Sequence, residues 1–180
     1  MSKRDLLLEL YSNLGTTGAV TFSSKSLVKK MLSFTDLSKA EIIVELGGGD
    51  GSITEGIVSR MPESAKLLVF EINESFCNAM RKQFPGENIQ IINDSAENIH
   101  LYLKGRKADA IFSSLPFSLI SKEATDAILT HSKNSLTSKG KFVQICYSYL
   151  LKNLFSKYFS EVQVRFTLKN FPPAFVMICH

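Results

Sequence analysis

The segment Ile42-Ile43-Val44-Glu45-Leu46-Gly47-Gly48-Gly49-Asp50-Gly51 constrains this chain more than any other. An apolar run with an acid near its end reads as a buried strand, and glycines follow at every second position, 47, 49 and 51. Without a Cβ, glycine accepts positive φ and lets the backbone come close to a bound molecule. Two phosphate-binding loops are excluded. A dinucleotide loop, G-x-G-x-x-G, would use Gly47 and Gly49 but needs a third glycine where Ser52 stands. A P-loop needs Gly-Lys-Ser/Thr, which does not follow.

Beyond residue 40 the sequence alternates between two kinds of segment. Strand-like runs cover 41–46, 66–71, 89–93, 108–114, 141–147, 161–166 and 174–179, mostly unbroken Val, Ile, Leu and Phe. Unbroken apolar runs suit strands covered on both faces. Helix-like stretches at 52–60, 74–84, 96–104 and 121–136 carry stop signals at Pro62, Pro85-Gly86, Gly105 and Gly140. The expectation is a doubly wound α/β domain with seven strands and helices on both faces. Too few residues separate the last two strands for a crossover helix, so they should close the parallel sheet as an antiparallel hairpin. At 180 residues the chain reads as a single domain, 1–180, with 1–40 as an N-terminal helical cap. Its end at His180 leaves substrate recognition to that cap and to the loops at the strands' carboxyl ends.

Composition narrows the class. No run approaches about 18 apolar residues, the length of a membrane span, and the first residues carry no signal-peptide pattern. Cys77, Cys146 and Cys179 are odd in number and lack metal-like spacing; the expectation is free thiols and a cytoplasmic location, with no disulfide framework. His100, His131 and His180 are scattered, so no metal is expected. The charge is uneven. Residues 1–98 hold ten basic and thirteen acidic side chains, a net −3, whereas residues 99–180 hold eleven and four, a net +7. The basic half reads either as a solvated face or as a surface for an anionic partner.

The Glu-x-Gly-x-Gly-x-Gly pattern resembles the S-adenosyl-L-methionine (SAM) loop of class I methyltransferases. In open α/β sheets ligands bind outside the carboxyl ends of the strands, and several polar residues fall there. Glu71 ends the second strand, where a carboxylate can accept both ribose hydroxyls; Ile72 follows it. Asp94 and Ser95 follow the third strand, with Asp94 placed to accept from an adenine amino group or to cap the next helix. The fourth strand runs into Ser113-Ser114-Leu115-Pro116-Phe117, the methyl-transfer position of amino methyltransferases. There Pro116 rigidifies the turn and, lacking an N–H, should leave neighbouring carbonyls free as acceptors; Phe117 reads as flanking a base or an amine, with a plain loop and a core Phe as the alternative.

Four segments carry a closer resemblance. Gly18-Ala19-Val20-Thr21-Phe22-Ser23-Ser24, the SAM loop, Ser113–Phe117, and the pair Phe142-Val143-Gln144-Ile145-Cys146-Tyr147 and Asn170-Phe171-Pro172-Pro173-Ala174 together look like the rRNA adenine dimethyltransferase-like superfamily. They look most like its short bacterial branch, the phospholipid N-methyltransferases. The resemblance implies that Phe22, Ser24, Glu45, Gly47, Gly49, Gly51, Glu71, Ile72, Asp94, Ser95 and Ser113 hold SAM, leaving S-adenosyl-L-homocysteine as product. It implies that Ser114, Leu115, Pro116 and Phe117 surround the transferred methyl and that Asn170 lies with the acceptor. By their places just past strand ends, Tyr147 and Tyr149 are the aromatic or hydroxyl groups expected near the amine, and Arg165 and Lys169 read either as a grip on a lipid phosphate at the acceptor or as ordinary surface charge. Phosphatidylethanolamine at an anionic membrane surface is the implied acceptor, with an ornithine-type aminolipid as a variant and no obligate protein partner. Nucleic acid ranks second: the rRNA adenine enzymes carry Asn-Leu-Pro-Tyr where this chain has Ser114-Leu115-Pro116-Phe117. A SAM-binding protein acting on another small amine, or without turnover, is the third reading. Leu6, Leu7, Leu10, Tyr11 and Leu14 share one helical face that could either lie in a membrane interface or cover the SAM site.

Overall fold

The computed structural model describes residues 24–168, 170 and 172–180. Its strands are β1 (Ile42–Leu46), β2 (Lys66–Phe70), β3 (Ile89–Ile92), β4 (Ala108–Ser113), β5 (Leu136–Cys146), β6 (Val162–Thr167) and β7 (Ala174–Cys179). They form one sheet in the order β3-β2-β1-β4-β5-β7-β6. The pairs among β1 to β5 are parallel, and β7 runs antiparallel between β5 and β6. The expected parallel sheet closed by an antiparallel hairpin is therefore present, and the strand order reverses between β1 and β4. Such a reversal opens a crevice at the carboxyl ends.

The helices among the described residues are α1 (Lys25–Leu32), α2 (Ser52–Val58), α3 (Glu74–Gln83), α4 (Ile99–Leu103), α5 (Lys122–Ser135) and α6 (Leu151–Phe155). The apolar residues of β1 alternate between two cores. Ile43 faces α1, α2 and α3 with Leu27, Ile57 and Met80; Ile42, Val44 and Leu46 face α4, α5 and α6 with Ile99, Leu129 and Phe155. All of β1 is buried, which explains why its sequence shows no polar alternation. The sheet stands at the middle of the molecule and delivers its loops to one edge.

Three elements differ from the sequence expectation. The helix expected at 96–104 is a 3-10 turn, Ala96–Asn98, followed by the short α4, and Lys104 ends it at φ 51°. β5 begins at Leu136, straight out of α5, and slips register against β4 between Ala108 and Ala110. Gly140 sits in that slip, where a Cβ would lie 3.0 Å from the Ala108 carbonyl oxygen. α6 was not anticipated; it covers Phe142 with Phe155.

Candidate active site

The glycine loop leaves β1 tied to its neighbours on both sides. Gly47 and Gly48 donate N–H bonds to the Phe70 carbonyl at the end of β2, at 2.9 and 3.1 Å. Ser114 donates its hydroxyl to the Gly47 carbonyl at 2.8 Å and its N–H to Leu46 at 3.0 Å. Gly47 has φ +83°, and a Cβ there would come within 3.1 Å of the Ser114 Oγ. The loop after β1 and the turn after β4 are thus held together by a contact that only glycine admits.

Two glutamates stand beside the glycine loop in different surroundings. Glu71 is buried; its Oε2 accepts from Gly49 N–H at 2.9 Å and its Oε1 from Asn73 N–H at 2.8 Å. Burial pushes its pKa up, and those backbone bonds oppose the shift. Each carboxylate oxygen has a second lone-pair site beyond the one used here, so Glu71 keeps capacity for a diol. Glu45 is fully buried on the α2 side, where its Oε2 accepts from the Thr54 hydroxyl at 2.7 Å. Among the described residues its Oε1 has no partner. Burial, reinforced by the negative charges of Glu71 and Asp50, pushes its pKa up to about 8, against the Thr54 bond. An unpartnered buried acceptor is costly and marks a place for a donor or a cation.

Beside the loop lies a cleft of about 480 Å³, its open mouth included, floored by Phe70, Glu71 and Ile72 and walled by Leu115, Ile120, Ala124 and Ile128. Asp94, Ser95 and Glu97 supply its polar edge. Asp94 accepts from Ser95 N–H at 2.7 Å, from Asn98 Nδ2 at 3.0 Å and from the Tyr102 hydroxyl at 2.9 Å. Ser95 caps the 3-10 turn by accepting from Glu97 N–H. An apolar cleft lined by the carboxylates of Glu71 and Asp94 suits a nucleoside. The orphaned Glu45 oxygen suits the ammonium of a methionine group. By these two features the residues present fit SAM.

The turn after β4 departs from expectation. Leu115 O accepts from Phe117 N–H at 3.0 Å and from Gln144 Nε2 at 3.0 Å, and Pro116 O accepts from Leu119 N–H at 2.8 Å. The carbonyls beside Pro116 are therefore occupied rather than free. Phe117 is 4% exposed and sets its ring edge-on to Phe155 at 5.4 Å. The tight turn points it into the core, so it does not flank the slot as expected. Ser113 is also buried, its Oγ accepting from Leu115 N–H.

Gln144 is the residue that sequence reasoning missed as a site residue. It is fully buried in β5, and its Nε2 pins the Leu115 carbonyl while its Oε1 has no partner among the described residues. A lone amide in an apolar strand was the available signal.

The remaining expected residues fall at the same edge. Tyr147 and Tyr149 follow β5 and are half exposed. Arg165 lies exposed on β6, its guanidinium on Val164 O and Gln163 Oε1. Asn170 is buried, accepting from Ser24 N–H at 3.2 Å and donating to Pro172 O at 2.8 Å. It thus joins the start of α1 to the hairpin loop, and Ser24 caps α1 by accepting from Leu27 N–H. Phe22, Lys169 and the apolar face at Leu6–Leu14 lie outside the described residues.

Residues 43–140 match the family described as a methyltransferase domain. The chain is similar to an ornithine lipid N-methyltransferase of Singulisphaera acidiphila, 28% identical over 145 residues, which are 78% of this chain and 76% of that protein. It is also similar to the ribosomal RNA small subunit methyltransferase A of Mycoplasma capricolum, 28% identical over 104 residues, which are 56% of this chain but 38% of that relative. Among solved structures, a precorrin-6y C5,15-methyltransferase from Geobacter metallireducens superposes with a TM-score of 0.72 at 15% identity, over 89% of this chain and 90% of that one. A T. thermophilus 16S rRNA N2 G1207 methyltransferase in complex with AdoMet and guanosine gives 0.69 at 15% identity, over 89% and 43%. At those identities the structures establish the fold.

Proposed function

This chain belongs to the methyltransferase-domain family of SAM-dependent enzymes, and from that premise we propose that it transfers a methyl group to the amine of an aminolipid head group. The observation that carries this reading is the two-sided match to the ornithine lipid N-methyltransferase, which spans about three quarters of both proteins. Phosphatidylethanolamine and an ornithine-type lipid are the two head groups in view.

Glu45, Gly49, Glu71 and Asp94 would hold the cofactor, which supplies an electrophilic methyl on a sulfonium sulfur. The chain supplies position and dryness. Gln144 and Gly47 fix Ser114–Leu115–Pro116 from two sides, so the turn that faces the acceptor is rigid. The acceptor nitrogen must be neutral to attack. For an amine with a Lys-like pKa of about 10.4, losing the proton at pH 7 costs about 4–5 kcal/mol. Desolvation beside a cation lowers that cost. Tyr147 and Tyr149 offer aromatic faces to the methylated ammonium product, and Arg165 offers a fork for a lipid phosphate.

A second reading, adenine methylation in ribosomal RNA, is favoured by the similarity to ribosomal RNA small subunit methyltransferase A. One assay separates them: methyl-labelled SAM is offered with aminolipid vesicles, with ribosomal RNA, and alone. Label in the lipid extract is the expected result. Label in RNA, or in neither, overturns the lipid reading.

A further inference from the structure

At the edge of the sheet that carries the cofactor crevice, the structure leaves a cluster of large apolar side chains in solvent. Tyr147, Tyr149 and Leu150 follow β5, while Phe166 and Leu168 end the β6 side of the hairpin. Leu150 is 75% exposed and Leu168 74%.

The aromatic part of the cluster, Tyr149, Phe175 and Phe166, is contiguous. Cys146, Phe175 and Phe166 stand side by side across β5, β7 and β6, so their side chains share one face. The Phe166 and Phe175 rings lie 5.0 Å apart, and Tyr149 meets Phe175 at 5.9 Å. Two isolated leucines would need no explanation, but an aromatic ladder continuing the core face into solvent does.

The described charges nearest the ladder are basic. Lys152 lies over the Tyr149 ring at 5.9 Å on the ladder's own face, while Arg165, paired with Val176, projects from the other face of the hairpin, where Lys30 reaches from α1 to the Phe166 carbonyl at 2.7 Å. From Tyr147 to His180 the sequence has a single acid, Glu161. Because β6 runs antiparallel to β7, Glu161 lies at the opposite end of the hairpin from Thr167. Tyrosine tips, leucines and a cationic rim are what a lipid–water interface accepts: apolar parts enter the acyl boundary and the cations meet anionic head groups.

We propose that Phe166, Leu168, Phe175 and the loop after β5 form a membrane-contact surface whose partner is an anionic bilayer leaflet. The proposal rests on the aminolipid reading and deepens it. On the aminolipid reading Tyr147, which directly follows β5, also stands by the transferred methyl, so a docked leaflet brings its amines to the Ser114–Pro116 turn without a membrane-spanning helix. None of the described helices is long and apolar enough to cross a membrane.

The chain has no tryptophan, so a single introduced one is a clean reporter. Leu150→Trp places it at the centre of the surface. Leu101→Trp places it on α4, between β3 and β4, at a residue 57% exposed. With vesicles of anionic phospholipid, the Leu150→Trp emission should shift to the blue and be quenched by brominated acyl chains, and both effects should fade with salt. The Leu101→Trp emission should not move. The double variant Leu150→Asp/Leu168→Asp should co-sediment about tenfold less or weaker still, since each leucine lost from an apolar environment is worth about a factor of ten. Its turnover of a water-soluble, short-chain aminolipid should stay at the parent level.

Unchanged Leu150→Trp emission on vesicles that sediment the protein overturns the surface while leaving the lipid reading standing. A parent that does not sediment with anionic vesicles also overturns the surface. Label transferred, or not, to the short-chain aminolipid then decides the lipid reading separately. Light scattering that shows a dimer in the parent and a monomer in the Asp variant assigns the ladder to a second copy of the chain and overturns the leaflet as its partner.

Discussion

Replacing Glu45 by glutamine should make the cofactor-free protein more stable in alkali. In the fold this carboxyl is fully buried, holds one bond from Thr54 and faces the charges of Glu71 and Asp50. Its pKa rises from an ordinary 4.5 to about 8. Between those two values the unfolded chain has released the proton and the folded chain still keeps it. The folded state therefore binds more protons, and stability falls as pH rises from about 4.5 to about 8. At about 1.4 kcal/mol per pH unit, that interval is worth up to about 5 kcal/mol. Glutamine is a neutral isostere of the protonated acid, can accept the Thr54 bond, and never ionises. The assay is urea unfolding of parent and Glu45→Gln at pH 5, 6.5 and 8.5, without SAM. The two proteins should be close at pH 5, and the variant should lead by several kcal/mol at pH 8.5. Glu71 titrates in the same direction in both proteins, so the difference between the curves isolates Glu45. A difference that varies by less than about 1 kcal/mol across the three pH values refutes the reasoning, because Glu45 would then ionise as freely in the fold as in water.

Other perturbations address the rest of the site. Glu71→Ala should lower SAM affinity about tenfold or more by calorimetry, since it removes a charge-assisted pair of acceptors; unchanged affinity in a folded variant removes Glu71 from the ribose role. Gln144→Leu should slow methyl transfer about tenfold or more while SAM affinity stays near the parent value, because the amide pins the Leu115 carbonyl rather than the cofactor loop. Equal loss of both would assign Gln144 to general stability. Burial pushes the Cys77 thiol up, Cys146 up to about 11 and Cys179 up to about 12. A disulfide exchange reagent at pH 8 should therefore leave all three cysteines unreacted until urea unfolds the chain.

The parts of the site legible in the sequence are those where chemistry forces the residue type. Gly47 must accept φ +83° against Ser114, and Glu71 must end β2 where the loop amides reach it. Phe117 misleads because the sequence gives its neighbour Pro116 but not the direction in which the turn closes. The bond from Phe117 N–H to Leu115 O sends the ring inward. Gln144 hides for a different reason. In a strand covered on both faces, alternation does not tell which side a residue faces, so a polar side chain there reads as part of the strand rather than of the turn it holds. The early start of β5 at Leu136 is masked by Thr137-Ser138-Lys139, polar residues that read as loop while the chain is already paired at Leu136 with Ala108.

The charge asymmetry of the sequence acquires a place in the fold. Glu45, Glu71 and Asp94, all in the acidic half, converge at the carboxyl ends of β1, β2 and β3. SAM carries positive charge on its sulfonium and its ammonium, so a buried acidic crevice suits it. The basic half ends in β5, β7 and β6, and its Lys152 and Arg165 lie near the carboxyl ends of β5 and β6. Salt screens exposed charges over about 8–10 Å but acts weakly on buried ones. On the aminolipid reading, the two halves therefore respond differently to ionic strength: capture of an anionic surface weakens, and cofactor affinity holds. A neutral amine gains nothing from that basic rim. On that reading the rim would act on the anionic lipids around the acceptor, and selectivity for the amine itself would fall to the apolar turn held by Gln144 and Gly47.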